Sequence, residues 1–221
     1  MGQRSEKNAN STFISYGMYD HYYVFMKDNR YLCTLKNDME HPLEQFKHCP
    51  KCGAAGFRVH DFKSKRCGKC GFTYYFNASA ATAAFILNER QELLVCRRKN
   101  DPAKGTWDLP GGFIDPDETA EEGIRREIKE ETSLEAQECR YLFSLPNRYE
   151  YAGFTVHTLD LFFLCRVDDF RPLAAHDDAS ECFFLPLRDI RPSQFGLASI
   201  RKAATLFLQT RRFPDESPAM E

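Results

Sequence analysis

The chain has 221 residues, which is enough for one ordinary domain and a small additional module. It is 43% hydrophobic and 28% charged, with a formal net charge of −2, so its composition is that of a globular protein without a global field for nucleic acid or membrane. No apolar run reaches transmembrane length and the first residues lack an apolar signal region, so we expect a cytoplasmic protein with no membrane partner.

Nine cysteines are too few and too scattered for a disulfide scaffold, which favours a reducing compartment. Four of them fall in metal-ligand spacing. The remaining five are isolated in the sequence: Cys33, Cys96, Cys139, Cys165 and Cys182.

Residues 1–44 are predicted to form an aromatic-rich N-terminal extension. Two short strands, 22–26 and 30–35, would flank a turn at 27–29 and make a hairpin. The aromatic side chains would either cover the neighbouring module, which we favour, or serve base stacking or a subunit contact.

Residues 45–76 contain two matching cysteine knuckles, Cys49-Pro50-Lys51-Cys52-Gly53 and Cys67-Gly68-Lys69-Cys70-Gly71. Two Cys-x2-Cys pairs suit tetrahedral Zn²⁺, and the glycine after each pair permits a tight turn. Since four protein thiolates fill the coordination sphere, the site would be structural. A segment of about thirty residues has too little core to fold alone, so metal binding would supply its stability. We therefore predict a zinc ribbon, with redox-active thiols as the alternative.

The predicted ribbon is locally basic, with seven lysines and arginines against the single Asp61, and it also contains several aromatic residues. Basic residues interleaved with aromatic ones are typical of nucleic-acid binding. Ribbons are also plain scaffolds, and cations balance the charge of the thiolates. We favour the scaffold and keep nucleic acid as the alternative partner.

Residues 77–209 are predicted to form the main domain, followed by a polar tail at 210–221. Apolar runs at 80–87 and 92–98 around a polar turn predict a hairpin. Further strands are expected at 139–146, 154–167 and 182–185. Ser193 is the predicted N-cap of a last helix, whose apolar face repeats at 3-4-3 spacing through Leu197, Ile200, Ala204 and Phe207.

A helix rich in carboxylates is predicted from Thr119, which forms a capping box with Glu122, to about Thr132. Its apolar stripe repeats every four residues, and three glutamates at i, i+3 and i+4 lie along the edge of that stripe. Crowded carboxylates repel one another unless a cation lies among them, and oxygen ligands suit Mg²⁺ or Mn²⁺. The glutamates are Glu127, Glu130 and Glu131. An ordinary charged helix neutralised by its own arginines and lysine is the alternative.

The spacing of these residues resembles the Nudix box, Gly-x5-Glu-x7-Arg-Glu-U-x-Glu-Glu-x-Gly-U, where U is a bulky apolar residue. The match runs from Gly112 through Glu118 to Arg126 and on to Leu134, and departs only at Ser133, where the family has glycine. That glycine ends the helix in the left-handed conformation. The resemblance implies an α+β fold, a Nudix α/β/α sandwich with a mixed sheet, here preceded by the zinc ribbon.

The resemblance also implies an activity, the Mg²⁺- or Mn²⁺-dependent hydrolysis of a nucleoside diphosphate linked to another moiety. The three box glutamates would hold the metal, and Arg126 would pair with Glu118 rather than touch substrate. An acidic loop near the end of the domain commonly adds a metal ligand or a base, and Asp178 and Glu181 resemble it. Gly111 and Gly112 would let the backbone approach a diphosphate, and Trp107 would either stack on a base or pack in the core.

A ribbon ahead of a Nudix domain is similar to the layout of the NADH pyrophosphatases. Their specificity array follows the box, but here the corresponding residues, 144–151, keep only its serine and first proline. We therefore prefer ADP-ribose or another ADP-linked metabolite as substrate, with NAD(H) as the alternative. A second alternative is a nucleotide-sensing or RNA-binding regulatory module. Substitute substrate contacts would come from Arg148, Tyr149, Tyr151 and Phe154. Because Nudix enzymes are often dimers, a homodimer is also an open expectation.

Overall fold

The structure, a computed structural model, describes residues 41–211. The predicted N-terminal hairpin and residues 212–221 of the predicted tail lie outside the described residues. Within 41–211, no helix is long and apolar enough to cross a membrane.

Nine strands and two α-helices follow one another along this part of the chain. The strands are β1 (Phe57–Asp61), β2 (Ser64–Cys67), β3 (Thr73–Tyr75), β4 (Ser79–Ile86), β5 (Glu92–Arg98), β6 (Trp107–Asp108), β7 (Ala136–Tyr151), β8 (Phe154–Val167) and β9 (Ala179–Pro186). The helices are α1 (Ala120–Thr132) and α2 (Ala198–Arg211), with short 3-10 turns at Leu187–Asp189 and Pro192–Gln194 between β9 and α2.

The first three strands form a small antiparallel sheet in the order β1-β2-β3. Its buried cluster consists of Cys49, Phe57 and Cys67, so two of the three buried side chains are cysteines. Gly53 and Gly71 have φ values of +68° and +72°, and their N–H groups donate to the carbonyls of Cys49 and Cys67. Each knuckle therefore ends in the tight turn that its glycine was predicted to allow.

The main domain is a sandwich of strands between two helices. One sheet has the order β4-β8-β7, with β4 parallel to β8 and β7 antiparallel to it, and the other has the antiparallel order β6-β5-β9. Successive side chains of β4 point to opposite faces. Ala83 and Phe85 pack in the cluster that includes α2, while Ala84 and Ile86 pack in the cluster that includes α1. Helices on both faces explain why residues 82–86 of the strand are continuously buried, and the predicted α+β sandwich is confirmed.

Helix α1 begins where the capping box predicted. Both hydrogen bonds of the box between Thr119 and Glu122 are present, and the stripe residues Ile124 and Ile128 are completely buried. The helix ends at Ser133, which has φ 60° in the left-handed region, so this serine adopts the conformation for which the family pattern uses glycine.

The predicted hairpin of β4 and β5 is wrong. The turn between them is present, and in it the N–H of Gln91 donates to the Asn88 carbonyl at 2.9 Å. The two strands themselves are linked only by the isolated bridge between Leu87 and Leu93. Strand β4 pairs with β8, and β5 pairs with β6 and β9. A strand buried on both faces gains more from long-range neighbours than from the turn that leads into it, and no local signal records those neighbours.

The predicted N-cap of the last helix is also wrong. Ser193 lies in the 3-10 turn Pro192–Gln194, and the helix starts only at Ala198. Between them Phe195 is completely buried, which anchors the connection before the helix can begin. The predicted core face is confirmed, since Ile200, Ala204 and Phe207 are buried.

Four of the five cysteines that are isolated in the sequence are paired in space, and the fifth, Cys33, lies outside the described residues. Cys96 is directly opposite Cys182 on the β5–β9 ladder, and Cys139 is directly opposite Cys165 on the β7–β8 ladder. All four are free thiols. Antiparallel pairing brings together residues that are far apart in the chain, so spacing along the sequence could not reveal these pairs.

Candidate active site

The most buried carboxylate of the box belongs to Glu131, whose side chain and backbone together are 8% exposed. Its Oε2 accepts a hydrogen bond from the N–H of Gly111 at 3.0 Å. Burial raises the pKa of Glu131 to about 9, and the negative charges of Asp108 and Glu127 add to that rise. An ionised carboxylate here therefore requires positive charge close by.

The other two box glutamates lie progressively closer to solvent. Glu127 is half-buried and burial raises its pKa, whereas Glu130 is exposed. Among residues 41–211, the carboxylate oxygens of the three glutamates, which would be the metal ligands, do not all lie within 4.8 Å of one another. Two of them are engaged by Arg126, and carboxylates without a cation repel one another. The helix thus brings the three side chains to one edge without clustering their oxygens.

Arg126 connects the carboxylates of this helix. Its Nε and Nη2 donate to the two oxygens of Glu118 at 2.7 and 2.9 Å, and its Nη1 donates to Glu127 at 2.9 Å and to Glu130 at 3.0 Å. The guanidinium lowers the pKa of Glu118 to about 2. The predicted Arg126–Glu118 pair is present. It is bidentate and holds the guanidinium within hydrogen-bonding distance of Glu127 and Glu130.

The two glycines before the helix are required by close packing. Gly111 has φ +150°, and a Cβ there would lie 2.1 Å from the carbonyl oxygen of Thr82. A Cβ on Gly112 would lie 2.6 Å from Oε1 of Glu127. The glycines thus let the backbone pack closely against β4 and the box carboxylates, and the Gly111 N–H donates a hydrogen bond to the Glu131 carboxylate.

A cavity of about 420 Å³ opens beside Glu131. Its wall includes residues of β4, β5, β7 and β8, the Gly111–Gly112 turn and the loop before β9. The predicted site residues on this wall are Gly111, Gly112, Glu131, Tyr149, Tyr151 and Asp178.

Three other predicted substrate contacts lie elsewhere. Trp107 packs edge-on against the rings of Phe183 and Phe195, with centroids 6.1 and 5.9 Å away, so it belongs to the core. Arg148 and Phe154 line a separate cleft beside the ribbon. Because side chains alternate along a strand, Arg148 faces away from the cavity that Tyr149 lines.

Phe154 instead joins the ribbon segment to the main domain. Its ring packs edge-on against Phe46 at 5.7 Å and against Phe76 at 6.0 Å. Phe76 also packs edge-on against His157, three residues further along β8, at 5.3 Å. These contacts explain the aromatic residues at both ends of the ribbon.

The two predicted acidic-loop residues differ in position. Asp178 lines the cavity and accepts a hydrogen bond from Nδ2 of Asn100 at 2.7 Å. Glu181 lies on β9, is exposed, and pairs with Nε of Arg97 at 3.0 Å. Glu181 is directly opposite Arg97 on the β5–β9 ladder and is not among the residues that line the cavity.

Sequence reasoning missed the polar side chains deep in the cavity. Asn147, Thr158 and Asp160 are buried and line it, and Arg98 forms a 2.5 Å ion pair with Asp108 at another part of the wall. The alternation of β7 could have revealed Asn147, since it shares a strand face with Tyr149. The other residues needed the pairing of distant strands to be recognised.

The four knuckle cysteines form the second candidate metal centre. Their Sγ atoms all lie within 4.8 Å of one another, and the Cys49–Cys70 and Cys52–Cys67 sulfurs are 3.7 Å apart. Four sulfurs at about 2.3 Å from a tetrahedral Zn²⁺ would be separated by roughly 3.8 Å. The backbone N–H groups of Cys70 and Lys69 lower the pKa of Cys67 to about 6, which favours the thiolate. The cluster is therefore compatible with a zinc ribbon.

Comparison with known proteins agrees with the geometry. A family model described as the NUDIX domain matches residues 77–206, more than half of the chain. The chain is 36% identical over 119 residues to an ADP-ribose pyrophosphatase of Methanocaldococcus jannaschii, covering 53% of this chain and 68% of that protein. It is 32% identical over 136 residues to the NAD-capped RNA hydrolase NudC of Chromobacterium violaceum, covering 59% of this chain and 48% of that one.

A crystal structure of a NUDIX hydrolase from Nitrosomonas europaea has the same fold, with a TM-score of 0.62 at 22% identity, covering 75% of this chain and 92% of the other. The chain spans 39% of the NudC protein of Vibrio atlanticus, to which it is 27% identical over 106 residues, 48% of this chain. The chain belongs to the Nudix hydrolase family.

Nudix enzymes use a divalent cation such as Mg²⁺, and the box residues of this chain fit one. Their donor atoms are all carboxylate oxygens, which such cations prefer. The buried Glu131 carboxylate accepts only a neutral N–H in its one described hydrogen bond, so a cation beside it would offset the cost of its burial.

Proposed function

We propose that this chain hydrolyses the diphosphate of a nucleoside diphosphate linked to another moiety, with ADP-ribose or a similar ADP-linked metabolite as the preferred substrate. Water adds across the anhydride, one P–O bond breaks, and the products are a nucleoside monophosphate and a phosphorylated remainder. The observation that carries this proposal is the buried box carboxylate of Glu131, with the Gly111–Gly112 turn beside it, at the wall of a cavity large enough for a nucleotide.

Glu127, Glu130 and Glu131 would hold the divalent cation. When bound, that cation neutralises charge on the diphosphate and lowers the pKa of a water molecule. Arg126 acts through the carboxylates, since its ion pairs with Glu118, Glu127 and Glu130 hold those side chains in place and engage its guanidinium away from the diphosphate. The Gly111 N–H orients Glu131.

The relatives support an ADP-linked substrate. One protein with 36% identity is named an ADP-ribose pyrophosphatase, and several others are named NAD-capped RNA hydrolases. ADP-ribose and NAD share an ADP moiety, so a pocket for that half would serve both. The aromatic wall that Tyr149 and Tyr151 give the cavity suits the base of such a molecule.

NAD(H) is the second candidate substrate, and the cysteine ribbon ahead of the Nudix domain is the observation that favours it. Residues 144–151 argue against it, because they retain little of the NADH-pyrophosphatase array. A regulatory nucleotide sensor is disfavoured by the complete set of three box glutamates, which a sensor does not need.

The deciding experiment is a panel of NADH, NAD, ADP-ribose, diadenosine polyphosphates, nucleotide sugars and capped RNA, each assayed with Mg²⁺ and with Mn²⁺. We expect the highest kcat/KM for ADP-ribose or another ADP-linked compound. The Glu131→Gln protein, assayed in parallel, controls for contaminating hydrolases. Absence of turnover across the whole panel would contradict the proposal and favour the sensor.

A further inference from the structure

Cys96 on β5 and Cys182 on β9 lie directly opposite each other, although they are far apart in the sequence. The backbone around them shows which kind of cross-strand pair they form. The N–H of Lys99 donates to a carbonyl just before β9, whereas the N–H of Arg98 donates to a carbonyl just before β6, on the other side of β5. Successive N–H groups of a strand point to opposite sides, so the N–H of Cys96 points away from β9, as that of Arg98 does. The two cysteines are therefore a non-hydrogen-bonded pair on the β5–β9 ladder.

The geometry of such a pair suits a disulfide. In a non-hydrogen-bonded antiparallel pair the two Cα atoms are about 4.5 Å apart, which lies within the range of about 4.4–6.8 Å that disulfides span. Both cysteines are free thiols. A hydrogen bond between the two thiols raises the pKa of Cys96 and lowers the pKa of Cys182, so the sulfurs are within reach of each other. A bond between them needs no rearrangement of the strands.

The surroundings of the two thiols give them different access to solvent. Cys182 is half-buried and packs with Leu94 and Phe184 in the cluster on the α1 face. Cys96 is 3% exposed and lines the same cavity as Glu131. Peroxides oxidise the thiols that they can reach, so Cys182 is the sulfur open to attack. Cys96 is shielded from direct oxidation but is close enough to react with an oxidised partner.

We propose that Cys96 and Cys182 form a modification site, a dithiol that hydrogen peroxide oxidises reversibly to a disulfide. First the Cys182 sulfur attacks one peroxide oxygen, the O–O bond breaks, and a sulfenic acid and one water form. The Cys96 sulfur then attacks the sulfenic sulfur, the S–O bond breaks, the S–S bond forms, and a second water leaves with the remaining thiol proton. Two electrons thus pass from the sulfurs to the peroxide, and a thiol reductant reverses the change.

The modification is compatible with a reducing compartment and independent of the proposed hydrolysis. In such a compartment the pair stays reduced until a peroxide reaches it, and thiol reductants restore it afterwards. Neither oxidation step uses the diphosphate or the divalent cation, so loss of the proposed function would leave this site unaffected.

The test treats the full chain with hydrogen peroxide, blocks the remaining thiols with an alkylating reagent, and maps the digested protein by mass spectrometry. We expect a linked pair of peptides that contains Cys96 and Cys182, lighter than the two free peptides by two hydrogen atoms. Dithiothreitol should separate the pair. The oxidised Nudix domain should melt at least about 4 °C higher than the reduced one, because the bond closes a long loop in the unfolded chain.

Two variants separate this pair from the other cysteines. Cys182→Ser should show neither the linked peptides nor the rise in melting temperature after the same treatment. Cys139→Ser changes a half-buried cysteine on the β7–β8 ladder, so it is the matched control and should retain both.

The peptide map of the unaltered chain decides the question without any variant. Peroxide treatment that leaves Cys96 and Cys182 as free thiols would overturn the inference. Oxidation of Cys182 to a sulfinic acid without a cross-link would overturn it too, since Cys96 would then have failed to react with the sulfenic acid. A disulfide that joins either cysteine to a different partner would also contradict it.

Discussion

The cysteine ribbon and the Nudix domain solve the problem of stability in different ways. The ribbon buries a cluster of only Cys49, Phe57 and Cys67, and leaves large apolar side chains such as Phe62 in solvent. The domain buries two extended clusters, one on each face of its strands. A sandwich can hold itself together by burial, whereas a module of three short strands needs a cross-link. We therefore predict that metal binding stabilises the ribbon and that side-chain packing stabilises the Nudix domain.

The largest effect should come from disrupting the proposed zinc site of the ribbon. Native mass spectrometry should find one Zn²⁺ per chain and none in Cys67→Ser, and the variant's ribbon should become sensitive to limited proteolysis between residues 45 and 76. Zinc contributes apparent free energies of about 10–16 kcal/mol to such modules, so no packing contact within the ribbon can replace it. Cys96→Ser, which changes a cysteine outside the cluster, is the matched control and should retain its zinc. A zinc-free, protease-resistant ribbon would contradict the assignment.

The next largest effect should be catalytic. Glu131→Gln keeps the shape of the side chain and removes its charge, so we expect Mg²⁺-dependent hydrolysis to fall at least about a thousandfold, equivalent to about 4 kcal/mol of barrier. The thermal melting of the domain should not decrease, because burial disfavours the charged form that the variant lacks. Glu130→Gln should behave similarly. Near-normal turnover in both variants would remove the glutamates from the metal site.

A substitution in the packed core on the same helix should lower stability and leave catalysis unchanged. Ile128 is completely buried in the cluster on the α1 face, and Ile128→Val removes one methylene group. We expect the free energy of unfolding to fall by about 0.5–1.5 kcal/mol in denaturant titrations. Since Ile128 does not line the cavity, kcat should stay within about twofold in the same preparations. A large loss of kcat without loss of stability would mean that the domain's packing and its site are not separable.

The smallest effect should be a gain in stability. Ser133 ends α1 with φ 60°, a conformation that costs a residue with a Cβ about 1–2 kcal/mol, while glycine carries extra entropy when unfolded. Ser133→Gly should therefore stabilise the domain by about 0.5–1 kcal/mol and leave activity and zinc content unchanged. Ser133→Ala, which keeps the Cβ, should give no such gain. Destabilisation by glycine would mean that the serine side chain contributes more than its backbone costs.

Features encoded over short distances were determined by the sequence itself. The capping box, the apolar stripe of α1, the three neighbouring glutamates and the two cysteine knuckles all depend on residues within one or two turns of the chain. In such segments the period of the helix or the geometry of a turn fixes which side chains are neighbours. For that reason the family resemblance and the Arg126–Glu118 pair could be predicted without a structure.

Features that depend on long-range pairing were decided only by the tertiary structure. Strand β7 pairs with β8, and alternation along β7 places Arg148 in the cleft beside the ribbon and Tyr149 on the cavity wall. Strand β9 pairs with β5, so that Glu181 meets Arg97. In the sequence Asn147 is an ordinary strand residue, and only the structure shows that its Oδ1 is buried without a hydrogen-bond partner among the described residues. The local residue pattern identified the Nudix box. The residues that would distinguish one substrate from another are brought together only when distant strands join, because no local period links them.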